Sequence, residues 1–259
     1  MSASAPVIRI AAETPAYRLR LGTTDQDLVS AQRLRYAVFN VEMHEGLASS
    51  EATGRDEDEF DAVCDHLLVE DIKRGEAVGT YRIQTGKRAA ESGLGYYSAR
   101  EFEFSPFEPV RGQMIELGRA CVAAEHRNPA VLGLLWRGIA QYAHGNGARY
   151  LTGCSSLTSQ DEAEGLAVYA ELASRYLVED QWRTNPQPEL RCRPTAGSGE
   201  GAGNRKTTVK VPRLMGTYLM LGAKICAEPA IDRTFGTIDF LTWMDLEGAG
   251  ARTLRKYLG

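Results

Sequence analysis

The chain has 259 residues, 43% of them hydrophobic and 25% charged, which suits one large globular domain with a substantial core. A formal net charge of -4 argues against a general nucleic-acid binder, which needs a basic surface to displace counterions from phosphate. Met1 to Ile10 lacks a charged region followed by an apolar run, and no stretch is long and apolar enough to span a bilayer. A cytoplasmic protein is therefore expected, with peripheral contact at the inner membrane left open. The cysteines Cys64, Cys121, Cys154, Cys192 and Cys226 are scattered without a C-x-x-C pair, so reduced, mostly buried thiols are expected rather than a metal site.

In chain order, Tyr17 to Leu21 alternates as a short strand. Thr24 and Asp27 then form a capping box ahead of a helix with Leu28, Ala31, Leu34 and Val38 on one face, ending near Met43 or Gly46. Residues 45 to 61 are acidic and read as a largely solvated loop. Strands are expected at His66 to Ile72 and Ala77 to Gln84, joined by the hairpin loop Lys73-Arg74-Gly75-Glu76. After a mixed, aromatic stretch from Lys87 to Phe107 come a strand (Met114 to Val122), a polar turn and a helix (Ala130 to His144). A strand (Tyr150 to Cys154) and a helix (Asp161 to Tyr176) follow. This order predicts an α/β (α+β) fold with a mixed central sheet flanked by helices. The expected organisation is a tail at residues 1–16, a core at 17–180, and an extension at 181–259 that completes the same domain. The extension holds a mobile Pro/Gly-rich loop (186–208), a helix (Leu214 to Leu221), a strand (Thr237 to Met244) and a short terminal helix.

Glu116-Leu117-Gly118-Arg119 is the segment that best carries chemistry. In a regular strand Glu116 and Arg119 point to opposite faces, so a shared role requires a bulge, for which Gly118 is a natural place. A bulge also turns backbone N–H groups toward a ligand. The turn from Ala124 to Pro129, with His126 and Arg127, opens a helix whose N-terminus suits a phosphate. Two competing motifs are set aside. In His66-Leu67-Leu68-Val69-Glu70-Asp71 an offset of five residues separates His66 from Asp71 across the strand, and Gly153-Cys154-Ser155-Ser156-Leu157 does not complete a nucleophile elbow.

Several ordered segments carry a resemblance: Arg33-Leu34-Arg35-Tyr36-Ala37-Val38-Phe39, Asp61-Ala62-Val63-Cys64-Asp65-His66, Val78-Gly79-Thr80-Tyr81-Arg82-Ile83, Glu116-Leu117-Gly118-Arg119 and Arg149-Tyr150-Leu151-Thr152-Gly153-Cys154. Together with Pro212-Arg213-Leu214-Met215 and Pro229-Ala230, they make the chain resemble the bacterial ornithine acyl-carrier-protein N-acyltransferases over roughly Leu28 to Asp239. That family is related to the acyl-homoserine-lactone synthases within the Gcn5-related N-acyltransferase superfamily. The resemblance implies that fold and transfer of a (3-hydroxy)fatty acyl group from acyl carrier protein to the α-amine of ornithine, giving lyso-ornithine lipid. It also implies an acyl-phosphopantetheine thioester as cosubstrate, no bound cofactor, no metal and no acyl-enzyme.

Residue by residue, Glu116 is expected as general base or as the partner of a structural ion pair with Arg119 or Arg35. Arg119 and Arg35 are expected to organise a buried carboxylate network, since arginine does not give up its proton. Arg82 and Asp61 are assigned with Arg35 to the amino acid acceptor. The acid that meets ornithine's side-chain ammonium is sought between Asp56 and Asp61. Tyr169 is assigned to protonating the leaving thiolate or to packing, and His126 and Arg127 to the carrier arm or to the surface. Glycine, lysine, tyrosine or glutamine as acceptor, and a non-catalytic carrier- or membrane-binding module, remain the alternatives.

Overall fold

The computed structural model describes residues 10 to 194 and 211 to 248. The terminal helix and most of the loop expected at residues 186–208 lie outside this range. The strands are β1 (Ala11–Glu13), β2 (Tyr17–Leu21), β3 (Asp65–Asp71), β4 (Glu76–Thr85), β5 (Met114–Val122), β6 (Tyr150–Leu157), β7 (Lys224–Ile225), β8 (Ala230–Asp232) and β9 (Thr237–Asp245). They form one sheet in the order β1-β2-β3-β4-β5-β6-β9-β7, with β8 also paired to β9. Every pairing is antiparallel except β5 with β6. A parallel pair needs a long crossover, and here a helix provides it.

The helices are α1 (Asp25–Tyr36), α2 (Ser50–Thr53), α3 (Gly86–Glu91), α4 (Pro129–Gly145), α5 (Glu162–Tyr176) and α6 (Arg213–Met220). Thr24 and Asp27 close a full capping box on α1, as the sequence predicts. The chain then runs straight on into a π-helical turn, Ala37–Glu42. Such wide turns often sit at functional sites. This one buries Val38 and Phe39 against Cys121 and Phe235.

Strand alternation divides the sheet into two working faces. On one, Leu19, Leu67, Tyr81, Ile83, Ile115 and Leu151 pack against Leu134, Leu135 and Ile139 of α4 in the main hydrophobic cluster. The opposite face carries Arg82, Gln84 and Glu116, with Arg82 opposite Gly118 and Gln84 opposite Glu116 in the β4–β5 ladder.

Three expectations need correction. The tail assigned to residues 1–16 contains β1, which pairs with β2 from Ala11↔Arg20 to Glu13↔Arg18. Part of the loop expected to be mobile is anchored instead. Gln187 donates its backbone N–H to the Glu101 carbonyl (2.7 Å), and Ile231 donates to that of Leu190 (2.7 Å). Finally, the acidic stretch at residues 45–61 is not mainly solvated: Glu45, Asp56 and Asp61 are all buried.

Candidate active site

Three aspartates from that acidic stretch interlock with three arginines from α1, β4 and β5. Arg35 Nε lies 2.9 Å from Asp56 Oδ2, and its Nη2 donates to Asp61 Oδ2 at 2.5 Å. Arg82 Nη1 donates to Asp58 Oδ1 (2.5 Å) and Asp61 Oδ1 (3.0 Å). Arg119 closes the set with Asp56 Oδ2 and Asp58 Oδ2, each at 3.2 Å. Burial opposes the charge on Asp61, but Arg35, then Arg82 and a hydrogen bond from Gln32, outweigh it and hold the carboxyl below the usual carboxylate range. Arg35 and Asp61, assigned from sequence to the acceptor, are therefore buried within this network and do not line the cleft described below. The acids between Asp56 and Asp61, where the ammonium partner was sought, all pair with arginines: Asp56, Asp58 and Asp61 in this network, Glu57 with Arg55 and Glu59 with Arg100.

The bulge expected near Gly118 is present one residue on. Thr80 faces Cys121 and Arg82 faces Gly118, so Tyr81 alone opposes both Arg119 and Ala120. Arg119 takes φ +47°, a left-handed conformation that is uncommon for a residue with a Cβ. The kink brings Arg119 to the side of the sheet that Glu116 occupies. Its guanidinium sits 4.8 Å from the centre of the Tyr97 ring and 4.6 Å from that of Phe235.

Glu116 makes none of the ion pairs offered as its structural role. Its two carboxylate oxygens accept the backbone N–H groups of Tyr97 and Ser98, both at 2.8 Å. Burial raises its pKa, and the Ser98 and Tyr97 hydrogen bonds offset only part of that rise. The Ser98 hydroxyl bonds the carboxylate as well, and three donors leave one of its four lone pairs over, so Glu116 both pins residues 97–98 and presents a basic group to the cleft it lines.

That cleft, about 680 Å³, opens where β5 and β6 part. The two strands pair only from Met114↔Tyr150 to Glu116↔Thr152, although both continue well beyond. At the fork Gly153 passes so close to β5 that a Cβ there would lie 2.1 Å from the Leu117 carbonyl oxygen. One side of the cleft is apolar, with Leu117, Leu135, Trp136, Leu151, Tyr218 and Met244. The other is polar, with Arg82, Gln84, Tyr97, Glu116, Cys154 and Asp239.

The remaining predicted residues divide. Tyr169 is not part of the cleft lining; it lies on α5 against the cluster that holds Leu157, Val168 and Leu172. Besides Tyr97, two tyrosines line the cleft, Tyr81 and Tyr218, with their hydroxyls 2.5 Å apart. Sequence reasoning missed this pair because the residues lie 137 positions apart. His126 is likewise absent from the lining, and its Nδ1 lies 3.0 Å from the Tyr17 hydroxyl. Arg127 reaches the rim but forks onto Glu42, at 2.5 and 2.7 Å. At the start of α4, Asn128 Oδ1 accepts the N–H groups of Ala130 and Val131, occupying donors that the sequence reading assigned to a phosphate.

The polar end of the cleft is acidic, lined by Glu45, Asp232 and Asp239. Oxygens of Asp232, Asp239 and the buried Glu101, which is not itself part of the lining, lie within 4.8 Å of one another, and Thr158 donates to Glu45 at 2.8 Å. Burial, and the charge of Asp239, raise the Glu45 pKa to about 7. A raised carboxyl pKa costs nothing below its unfolded value of about 4.3, costs progressively more up to the folded value, and costs a constant amount above it. Glu45→Gln should therefore stabilise the protein at pH 8, on the order of 1–3 kcal/mol, and hardly at pH 4. Urea denaturation at the two pH values checks this, and equal effects at both would disprove it.

The comparisons agree with this geometry. Residues 34–137 match the family model described as an acetyltransferase (GNAT) domain. The L-ornithine N(alpha)-acyltransferase of Brucella abortus (strain 2308) is 32% identical over 247 residues, covering 92% of this chain and 88% of that protein. Among solved structures, the acyl-homoserine-lactone synthase LasI aligns with a TM-score of 0.51 at 12% identity, covering 93% of this chain and 95% of its own. FeeM, an N-acyl amino acid synthase from uncultured soil microbes, aligns with a TM-score of 0.53 at 11% identity, covering 90% and 92%. At such identities these two support the fold alone. No helix among the described residues is long and apolar enough to cross a membrane. With the forked β5–β6 pair, the bulged Glu116–Arg119 segment and a relative matched over nearly its whole length, the chain is an acyltransferase of the Gcn5-related fold and belongs to the L-ornithine N(alpha)-acyltransferase family.

Proposed function

We propose that this protein transfers a (3-hydroxy)fatty acyl group from acyl carrier protein to the α-amine of ornithine, forming lyso-ornithine lipid. The observation that carries the reading is the two-sided cleft at the β5–β6 fork, apolar on one side and polar on the other, with Glu116 on the polar side. The apolar side suits a fatty chain, whose burial contributes roughly 0.8 kcal/mol per CH₂. The polar side suits a small charged amino acid. The names of the family's curated members support ornithine as the acceptor.

In the proposed mechanism Glu116 accepts a proton from the α-ammonium, directly or through a water, and the freed amine attacks the thioester carbonyl. The β5 bulge turns backbone N–H groups out of the β4 ladder, where they face the tetrahedral oxyanion. When the C–S bond breaks, the leaving thiolate takes a proton from the Tyr81–Tyr218 pair, which replaces Tyr169 in that role and is restored by the second proton that the nitrogen sheds as the amide forms. The products are the N-acyl amino acid and free carrier thiol. Arg82 and Arg119 hold the site's shape through the aspartate network. The thioester arm of the carrier enters along the fork, past Arg127, while His126 supports the turn from outside the cleft.

The test is thiol release by purified protein given a 3-hydroxyacyl-carrier thioester and ornithine, followed by mass spectrometry of the product. The expected product is N-acylornithine, with the coenzyme A thioester at least tenfold less effective. Thiol release with glycine, tyrosine or glutamine but not ornithine would shift the acceptor. No release with any amino acid would leave a non-catalytic binding module.

A further inference from the structure

Besides Glu116 and the rim residue Glu42, seven carboxylates gather around this site, and they fall into two groups. Asp56, Asp58 and Asp61 are matched by three arginines. Glu45, Glu101, Asp232 and Asp239 have no Lys, Arg or His nitrogen within salt-bridge distance among the described residues. Such a deficit is costly unless a cation completes it, because like charges at this depth repel across a poorly screened medium.

The second group is not a surface acidic patch. Glu101 is 4% exposed and Asp239 is 3% exposed. Asp239 lines the cleft, and its buried Oδ1 has no hydrogen-bond partner. Gln84, 1% exposed on the same polar side, has neither its amide nitrogen nor its amide oxygen satisfied. Buried polar atoms are nearly always paired, and because Gln84 and Asp239 line the cleft, a bound ligand's atoms can complete them. Burial, then the charges of Asp239 and Asp232, push Glu101 well above the ordinary carboxylate range, and burial also raises Asp239.

Position completes the case. Glu116 is level with Thr152 on β6, and Cys154, two residues further along, has its Sγ 3.5 Å from Glu101 Oε2. Two residues of strand span roughly 7 Å. A linear diamino acid with its α-nitrogen at Glu116 therefore directs its side chain toward the unpaired carboxylates.

We infer that Glu101, Asp232 and Asp239, with Glu45 at their margin, form the pocket for the acceptor's side-chain ammonium, and so select a linear diamino acid over neutral amino acids. This rests on the amine-acylating reading given above. The neighbouring carboxylates supply the charge, and Gln84 offers an amide to the acceptor's α-amine or α-carboxylate. The arriving ammonium displaces protons that the crowded acids retain when the pocket is empty.

The experiment compares ornithine with norvaline, which has the same carbon chain but no terminal amine. Wild type should prefer ornithine in kcat/KM by at least a hundredfold. Glu101→Gln and Asp239→Asn should each reduce that preference at least tenfold, chiefly through the KM for ornithine. Calorimetry in two buffers should show proton release on binding ornithine and none with norvaline. If the buried variants do not fold, Asp232→Asn at the half-exposed edge replaces them, since its side-chain oxygen can still cap Thr234 and Phe235. An unchanged preference in folded variants would overturn the assignment. So would one equivalent of a tightly held divalent metal whose removal abolishes the preference. A failure of thiol release with every acceptor would instead sink the acylation reading, while the calorimetric comparison would still judge the pocket.

Discussion

Arg35→Met is expected to cost about 3–5 kcal/mol of folding stability, the amount typical of removing one partner from a buried ion pair. The side chain is only 1% exposed and holds Asp56 and Asp61 together. Methionine fills similar space but leaves both carboxylates short of compensation in a place water does not reach. Against a typical total of 5–15 kcal/mol, a loss of that size leaves a marginal protein. Chemical denaturation measures it, and a change below about 1 kcal/mol would show that the network relaxes without Arg35. The pH dependence provides a second check. Asp61 has a folded pKa below its unfolded value of about 3.9, so its contribution is complete above that value and is lost as pH falls toward the folded one. Without Arg35 the depression shrinks, and the variant should lose less stability than wild type on acidification through that window.

The same network shows what sequence reading reached and what it did not. Elements with strong local signals were legible: the Thr24–Asp27 capping box, the strand Met114–Val122 and the helix that begins after Asn128 all follow from patterns a few residues long. The bulge was legible as well, because Glu116 and Arg119 sit three residues apart in a two-residue repeat. A buried carboxylate network organised by Arg35 and Arg119 was expected and is present. Residues 45–61 misled nonetheless, because an acidic run is usually solvated, and nothing within it announces that Asp56 and Asp58 join that network or that Arg82 does. Those three arginines come from separate elements that converge only when the sheet forms. Tyr169 was chosen by its place on a helix, whereas Tyr81 and Tyr218, the hydroxyl pair in the cleft, come from β4 and α6. The unpaired pocket was hidden most completely. Glu101 and Asp239 are 138 positions apart in sequence, and neither belongs to a motif.

Glu116→Gln is the second large effect, and it separates two duties held by one side chain. The amide preserves volume but keeps one oxygen where two backbone donors wait, so the N–H of Tyr97 or Ser98 loses its acceptor. An unsatisfied buried N–H costs about 1–3 kcal/mol, so the variant should fold, with reduced stability. Loss of the base should lower turnover by about 10²- to 10⁴-fold. The pH profile distinguishes this from damage to the 97–98 turn alone. If Glu116 is the base, its ionisation, raised by burial, sets the acidic limb of kcat/KM, and that limb should vanish in the variant. The gap between variant and wild type should also narrow at high pH, where the acceptor's amine loses its proton without help. A purely structural Glu116 predicts a uniformly lower profile with the limb retained. Turnover within threefold of wild type would remove Glu116 from both duties and shift the search for a base to the carboxylates at the far end of the cleft.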